Sequence, residues 1–200
     1  METLILNPKS TIIKYFEKIP EELICDEEKF EKIWSLKPEE KPKIMMFGKL
    51  TETPRYYLNF GYNYNFSGVF NKSIEIPELL ENYLDYCIEL EKEEENEEDN
   101  FEWGILVNWY ENGQSYIGYH SDDEKELVNN SNIYCFSVGD ERDFCLKSKE
   151  TGKVEKIKLR NNSLVIMCGT CQKSHKHSIP KRAKGNRRIS ITIRKFKKKA

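Results

Sequence analysis

Residues 108–124 read NWYENGQSYIGYHSDDE, and the rest of the chain is organised around them. The overlapping segment FEWGILVNWY predicts a buried strand, ENGQ predicts a turn, and SYIGYHSD predicts a second strand that ends near His120 and Asp122. Residues i and i+2 of a strand point to the same side, so these two side chains can share a ligand. The pair is conspicuous because the chain has only three histidines.

A metal ion is the ligand that this pair suggests. Two imidazoles and one carboxylate on one face of a metal leave open coordination positions, which is the arrangement of non-haem Fe(II) oxygenases. A His-x-Asp pair alone is weak evidence, so the assignment depends on a second histidine that the fold brings close. The remaining histidines, His175 and His177, lie more than fifty residues downstream.

Short strands dominate the C-terminal half of the chain. IYCFSVG, RDFCLKS, KVEKIKLR, SLVIMCG and RRISITIRKF are five such segments, separated by turn residues. Their number and spacing predict an antiparallel barrel or jelly roll. In such a barrel the strand with His120 and a later strand with His177 can face one another across the mouth.

Two regions outside these strands predict helices. Residues 10–36 carry apolar side chains at three-to-four spacing on both sides of Pro20, and residues 75–90 form an amphipathic pattern that opens at Pro77. We therefore expect a mainly β (α+β) fold in one structural domain. Its segments are an N-terminal helical segment packing on the core (1–43), an aromatic segment (44–70), a helix with an acidic insertion (71–102), a jelly-roll core (103–196) and a basic tail (197–200).

The composition suits a chain that buries its own core, with 38% hydrophobic residues in a total of 200. The sequence has no run of eighteen apolar residues and no signal-peptide pattern, which predicts an intracellular protein of the nucleus or cytoplasm with no membrane partner. We expect a monomer, with its six cysteines as reduced thiols.

The net charge of −2 hides an asymmetry. Residues 89–102 hold nine acidic side chains and one lysine, whereas residues 176–200 hold eleven Lys or Arg and no acid. A polyanionic partner responds to the local field over one face, so the near-neutral total does not exclude nucleic acid. A solvated or nuclear-targeting tail is equally open for the final KFKKKA. The acidic run at 91–99 is interpreted as a tolerated surface insertion.

The segment IMMFGKLTETPRYYLNFGYNYNFSGVF, residues 44–70, contains eight Phe or Tyr in twenty-seven positions. Aromatic rings and the guanidinium of Arg55 are side chains that stack on nucleic-acid bases. Aromatic residues that alternate along strands are as often core, so both interpretations stay open here.

The segment HKHSIPKRAKGNRRISITIR supplies Arg188 and Arg194, six residues apart on one predicted strand. The even spacing puts both guanidinium groups on the same face. An inward-pointing arginine is unfavourable unless an anion meets it, and a carboxylate of 2-oxoglutarate would do so. Two exposed arginines on an edge strand are the alternative.

These motifs together resemble the AlkB-type Fe(II)/2-oxoglutarate dioxygenases. The resemblance covers about residues 44–196 and is specific as a combination, with the upstream segments most similar to members that repair alkylated double-stranded DNA. The matching segments are MFGK, PR, YNFSG, NxY at Asn108 and Tyr110, HxD at His120 and Asp122, SVGDERDF, HSIP from His177, and RxxxxxR at Arg188 and Arg194.

The resemblance implies a double-stranded β-helix (jelly roll) core, a β-hairpin nucleotide-recognition lid at 44–70, and Fe(II), 2-oxoglutarate and O2 as cofactors. It implies oxidative demethylation of N-alkylated bases in DNA, 1-methyladenine and 3-methylcytosine, with succinate and formaldehyde released. The base would be flipped from a duplex, with Phe47 inserted into the stack. The implied residues are His120, Asp122 and His177 for the metal; Asn108, Tyr110, Arg188 and Arg194 for 2-oxoglutarate, with Arg194 on its far carboxylate; and Phe47, Gly48, Arg55, Tyr64, Phe66, Ser67 and Glu124 for the substrate.

Two alternatives stay open at this point. The same chemistry could act on RNA or on a protein side chain. In the other, Cys168, Cys171, His175 and His177 would hold a structural zinc ion in a nucleic-acid-binding module, although two histidines only two residues apart fit the usual spacing poorly.

Overall fold

A seven-stranded antiparallel sheet forms the main layer of the protein. The computed structural model describes residues 3–6, 13–66, 68–92 and 100–198. In spatial order the strands of this sheet are β1 (Thr3–Leu6), β2 (Ile13–Phe16), β13 (Ser163–Met167), β10 (Ile133–Gly139), β15 (Arg188–Lys197), β8 (Phe101–Tyr110) and β5 (Tyr56–Phe60).

A smaller antiparallel sheet faces the first one. An apolar cluster from both sheets, which includes Tyr110, Phe144 and Val165, packs between them. This arrangement confirms the predicted mainly β fold with a jelly-roll core. The strands of the smaller sheet, in spatial order, are β12 (Val154–Leu159), β11 (Arg142–Ser148), β14 (His175–Ile179) and β9 (Ile117–His120).

The two longer helices cover the outer face of the large sheet. Helix α1 (Glu27–Ser35) begins at Asp26, whose carboxylate accepts a hydrogen bond from the backbone N–H of Lys29. Helix α2 (Glu78–Lys92) follows Pro77, as predicted. A short 3-10 helix (Glu21–Leu23) and helix α3 (Cys171–Ser174) complete the helical elements of the described residues. None of these helices is long and apolar enough to cross a membrane.

Strict alternation along β8 and β15 separates the apolar core from the polar interior. Ten consecutive residue pairs join the two strands. On β15 the side chains of Ile189, Ile191 and Ile193 pack against the helices. The side chains between them point to the other face, where they line a pocket. These pocket residues are Arg188, Ser190, Thr192 and Arg194.

The predicted helix over residues 10–36 is wrong in its first part. Residues 13–16 form β2, which pairs with β13 and buries Ile13 and Tyr15 on one face. Residues 10–12 lie outside the described part of the chain. The β-branched and aromatic side chains of IKYF suit a half-buried strand, and pairing with the sheet decides the conformation.

The segment predicted as a lid, residues 44–70, contains two hairpins and an edge strand of the large sheet. Strands β3 (Lys43–Met46) and β4 (Lys49–Glu52) form one hairpin, and β6 (Tyr64–Phe66) and β7 (Val69–Asn71) form another. Between the two hairpins, β5 pairs with β8 as an edge strand of the large sheet. The domain boundaries stay predictions.

The interpretation of 91–99 as a surface insertion is wrong for its first residue. Glu91 is buried, and its carboxylate pairs with the Lys195 ammonium at 2.6 Å. The same carboxylate accepts hydrogen bonds from Tyr134 and Asn132. Glu91 therefore ties the end of α2 to β15 and β10, whereas residues 93–99 lie outside the described residues.

Replacing Glu91 with alanine leaves the Lys195 ammonium buried without this carboxylate. We expect the free energy of unfolding to fall by about 3–5 kcal/mol, the usual loss when one partner of a buried ion pair is removed. Urea denaturation measures the change, and Glu89→Ala on the exposed side of the same helix is the control. Equal losses in the two variants would contradict the anchoring role.

Candidate active site

Three candidate metal ligands meet at the mouth between the sheets. His120 ends β9 and lies directly opposite His177 on β14, with 4.1 Å between ring centroids. The Asp122 Oδ1 atom is 3.3 Å from Nε2 of His120 and 4.0 Å from Nε2 of His177. Within the described residues this is the group of three His, Cys, Asp or Glu whose ligand atoms all lie within 4.8 Å of one another.

Contrary to the sequence prediction, Asp122 does not lie on the same strand as His120. The strand ends at His120, so Asp122 lies in the loop that follows and not on the strand itself. Its backbone N–H donates to Oε1 of Gln172 at 2.9 Å. Long-range contacts, and not strand alternation, therefore place the carboxylate beside the histidines.

The protonation states suit metal binding. Burial and the neighbouring His120 lower the pKa of His177 to about 3, so its ring is neutral at pH 7. Burial alone would raise the pKa of Asp122, but the neighbouring His120 and the charge of Arg194 hold it well below its usual range. Nδ1 of His120 lies 2.9 Å from the Gly118 carbonyl, which can only accept, so Nε2 is left to face the cluster.

A pocket extends from this cluster between the two sheets. Asn108, Tyr110, Arg55 and the polar side chains of β15 line it. Sequence reasoning missed several lining residues. Ser190 and Thr192 share the even spacing of the two arginines and could have been found by that signal. The others come from distant strands and carry no local signal: Leu106, Ile117, Cys135, Phe144, Met167 and Ile179.

The two arginines have different surroundings. Arg194 donates to the Tyr64 hydroxyl at 2.8 Å and lies 3.6 Å from the Glu124 carboxylate. Burial would lower the pKa of Arg194, but Tyr64, Glu124 and Asp122 together raise it. The Arg194 charge is thus matched by protein groups at the metal end of the pocket.

Arg188 lacks such a match. It is 1% exposed and donates from Nη2 to Ser137, while Nε and Nη1 have no hydrogen-bond partner among the described residues. A buried guanidinium with unused donors is unfavourable, and a carboxylate placed against it would satisfy both donors. Arg188 is therefore a second candidate, beside Arg194, for the far carboxylate of 2-oxoglutarate, and which of the two binds it stays a prediction.

The donor sets fit the cofactors that the motifs suggested. Two imidazoles and one carboxylate match the ligand set of non-haem Fe(II). The free donors of Arg188 match a carboxylate end of 2-oxoglutarate.

Comparison with known proteins supports the same conclusion. The profile of the 2OG-Fe(II) oxygenase superfamily matches residues 21–194. The chain belongs to this superfamily. Membership in this superfamily confirms the prediction that the oxygenase uses Fe(II), 2-oxoglutarate and O2.

The AlkB-type resemblance is also confirmed. The oxygenase is 32% identical over 166 residues to mouse (Mus musculus) DNA oxidative demethylase ALKBH2, a match that covers 77% of this chain and 66% of the mouse protein, just under two thirds of its length. It is 28% identical over 169 residues to the RNA replication protein of Grapevine virus A, covering 84% of this chain and 9% of the viral protein. The solved structure of OsALKBH1 has the same fold, with a TM-score of 0.62 at 14% identity, covering 96% of this chain and 99% of that one.

The expected substrate residues of this oxygenase do not all lie at the pocket. Arg55, Tyr64 and Glu124 are tied into the pocket, since Arg55 donates to Asn108 at 2.7 Å and the other two contact Arg194. Phe47 is 99% exposed. The side chain of Phe66 and all of Ser67 lie outside the described part of the structure.

Phe47 stands at the tip of the β3–β4 hairpin. Phe47 and Gly48 both have positive φ, 50° and 75°, as the two central residues of a type I′ turn require. A positive φ is uncommon for a bulky residue, so the turn presents this aromatic ring to solvent at some conformational expense.

The zinc alternative is wrong. Cys171 is buried in the apolar cluster between the sheets, where burial raises the pKa of its thiol to about 12. Nδ1 of His175 contacts the Ser174 hydroxyl at 2.8 Å. Neither cysteine belongs to the cluster of metal-ligand atoms found in the described residues.

Replacing His177 with alanine should abolish stoichiometric binding of Co(II), used as a spectroscopic substitute for Fe(II), because only two of the three ligands remain. The matched control is His175→Ala, two residues away on the same strand, which should bind Co(II) like the parent protein. Titration followed by visible absorption measures both. Loss of binding in His175→Ala alone would refute the ligand assignment.

Replacing Arg188 with methionine should weaken 2-oxoglutarate binding by roughly 10- to 100-fold, since a hydrogen bond to a charged group contributes about 1.5–3 kcal/mol. Calorimetric titration of Mn(II)-loaded protein measures the affinity. The control is Arg187→Met, an adjacent arginine that is partly exposed and pairs with Glu31. Unchanged affinity in Arg188→Met would show that the carboxylate binds elsewhere.

Proposed function

We propose that this oxygenase removes alkyl groups from ring nitrogens of DNA bases, with 1-methyladenine and 3-methylcytosine in duplex DNA as substrates. Its relative ALKBH2 is a DNA oxidative demethylase. The observation that carries the proposal is the fully exposed aromatic ring of Phe47, at the tip of the β3–β4 hairpin. The same chain also has the His120–Asp122–His177 cluster.

The pocket residues divide the chemistry among them. His120, Asp122 and His177 would hold Fe(II), which supplies open positions for 2-oxoglutarate and O2 and the oxidising power. Arg188 binds the far carboxylate of 2-oxoglutarate. Because Arg55 donates to Oδ1 of Asn108, the Nδ2 group of Asn108 is left to donate to the cosubstrate.

The overall reaction balances with no further reductant. O2 and 2-oxoglutarate convert the N-methyl group to N-hydroxymethyl, with succinate and CO2 formed. The hydroxymethyl group then leaves as formaldehyde and the ring nitrogen recovers its proton or lone pair.

Access to the base explains the exposed hairpin. A methyl group inside a duplex is reached only when the base is flipped out, which costs a few kcal/mol. An apolar side chain that enters the gap offsets part of that cost. Methylation of the pairing edge lowers the remainder, because the base pair is already broken.

A basic surface on the smaller sheet also favours a polyanion. Lys147 and Lys176 are exposed and directly opposite each other on β11 and β14. Like charges in this position are unfavourable in an isolated sheet, and phosphate groups would relieve the repulsion.

RNA is the second candidate substrate. The observation in its favour is the similarity to a viral RNA replication protein over 84% of this chain. Single-stranded RNA would need no inserted wedge, since its bases are already accessible.

One assay separates these candidates. The protein is loaded with Fe(II) without oxygen and then given 2-oxoglutarate, O2 and oligonucleotides with 1-methyladenine or 3-methylcytosine, as single- or double-stranded DNA or as RNA. We expect formaldehyde and succinate in equal amounts with duplex DNA. Turnover on RNA alone would refute the DNA assignment.

Replacing Phe47 with alanine should lower kcat/KM on methylated duplex DNA by roughly tenfold, equivalent to about 1.4 kcal/mol of lost support for base flipping, and much less on single strands. The control is Leu50→Ala, on the same hairpin and 62% exposed. Equal loss on duplex and single-stranded substrates would remove Phe47 from the wedge role.

A further inference from the structure

The loop that carries Asp122 is held without strand pairing. The ladder between β9 and β14 has its last pair at His120 and His177. Beyond it, the Asp122 N–H donates to Oε1 of Gln172 at 2.9 Å, and the Ser121 hydroxyl donates to the His175 carbonyl at 2.9 Å. These two hydrogen bonds continue the attachment where the sheet stops.

Gln172 is itself fixed on both sides. Its Nε2 group donates to Sδ of Met167 at 3.3 Å, and its backbone carbonyl accepts from Nζ of Lys149 at 2.7 Å. Only a side-chain oxygen can accept the Asp122 N–H, so this contact also defines which way the amide points.

Gln172 links the two segments that supply the metal ligands. It lies on α3, which leads directly into β14 and His177, while its side chain holds the loop after His120. A loop carboxylate without this contact would sample other positions, and holding it in one position favours metal binding.

We propose that Gln172 is a positioning residue for the metal ligand Asp122. Its side-chain oxygen fixes the loop backbone so that the carboxylate stays beside His120 and His177. The proposal rests on the metal-site part of the proposed function and is independent of the nucleic-acid substrate.

The test compares Co(II) affinity and the visible spectrum of the bound ion among variants of the full chain. Gln172→Met removes the side-chain oxygen that accepts the hydrogen bond, and the side chain of Gln172→Asn is too short to reach the Asp122 N–H. Both variants should weaken Co(II) binding by about 10- to 100-fold and alter the spectrum. Gln172→Glu keeps an oxygen at the same reach and should bind within about threefold of the parent protein. Lys173→Met, an exposed neighbour on α3, is the matched control.

Each outcome decides the question. Parent-like affinity in both Gln172→Met and Gln172→Asn would overturn the proposal, as would a loss in Gln172→Glu as large as theirs. Thermal unfolding of the metal-free variants shows whether a loss of Co(II) binding comes from misfolding. If Gln172→Met does not fold, the test rests on Gln172→Asn. Parent-like Co(II) binding in His177→Ala would show that the metal-site assignment itself has failed, and the positioning role with it, whereas lost binding in His177→Ala with parent-like Gln172 variants overturns the positioning role alone.

Discussion

Burial of positive charge on the inner face of β15 is the constraint on which this structure depends. Arg188 and Arg194 are each at most 2% exposed, and each guanidinium needs an anion or a set of acceptors. The protein provides Glu124 and Tyr64 for Arg194, whereas for Arg188 it provides Ser137 and an open pocket. Arg194 thus has a carboxylate of the protein beside it, whereas two nitrogens of Arg188 have no hydrogen-bond partner among the described residues.

Much of the fold could be predicted because its strands have local signatures. RDFCLKS was expected as a strand and forms β11 at Arg142–Ser148. The helix expected over 75–90 forms α2 with a similar span. The strand over 13–16 could not be predicted in this way, because its apolar residues fit a helical and a strand pattern alike and only pairing with β13 decides between them.

The site was predictable in composition but not in geometry. The sequence motifs indicated His120, Asp122 and His177 as a set, and the structure brings their ligand atoms together. The two arginines have different surroundings because the groups that contact them, such as Tyr64 and Ser137, come from distant parts of the chain. Contacts of this kind leave no spacing pattern in the sequence.

The charged residues of β15 also act on the pairing of the sheet. A shift of this strand by one residue against β8 would exchange its two faces, because side chains alternate with a period of two. Three isoleucines would then enter the polar pocket, and Arg188 and Arg194 would enter the apolar layer beneath the helices, without their acceptors. The correct register of β8 and β15 is thus protected by the two buried arginines, so a variant that neutralises both would lose specificity of strand pairing.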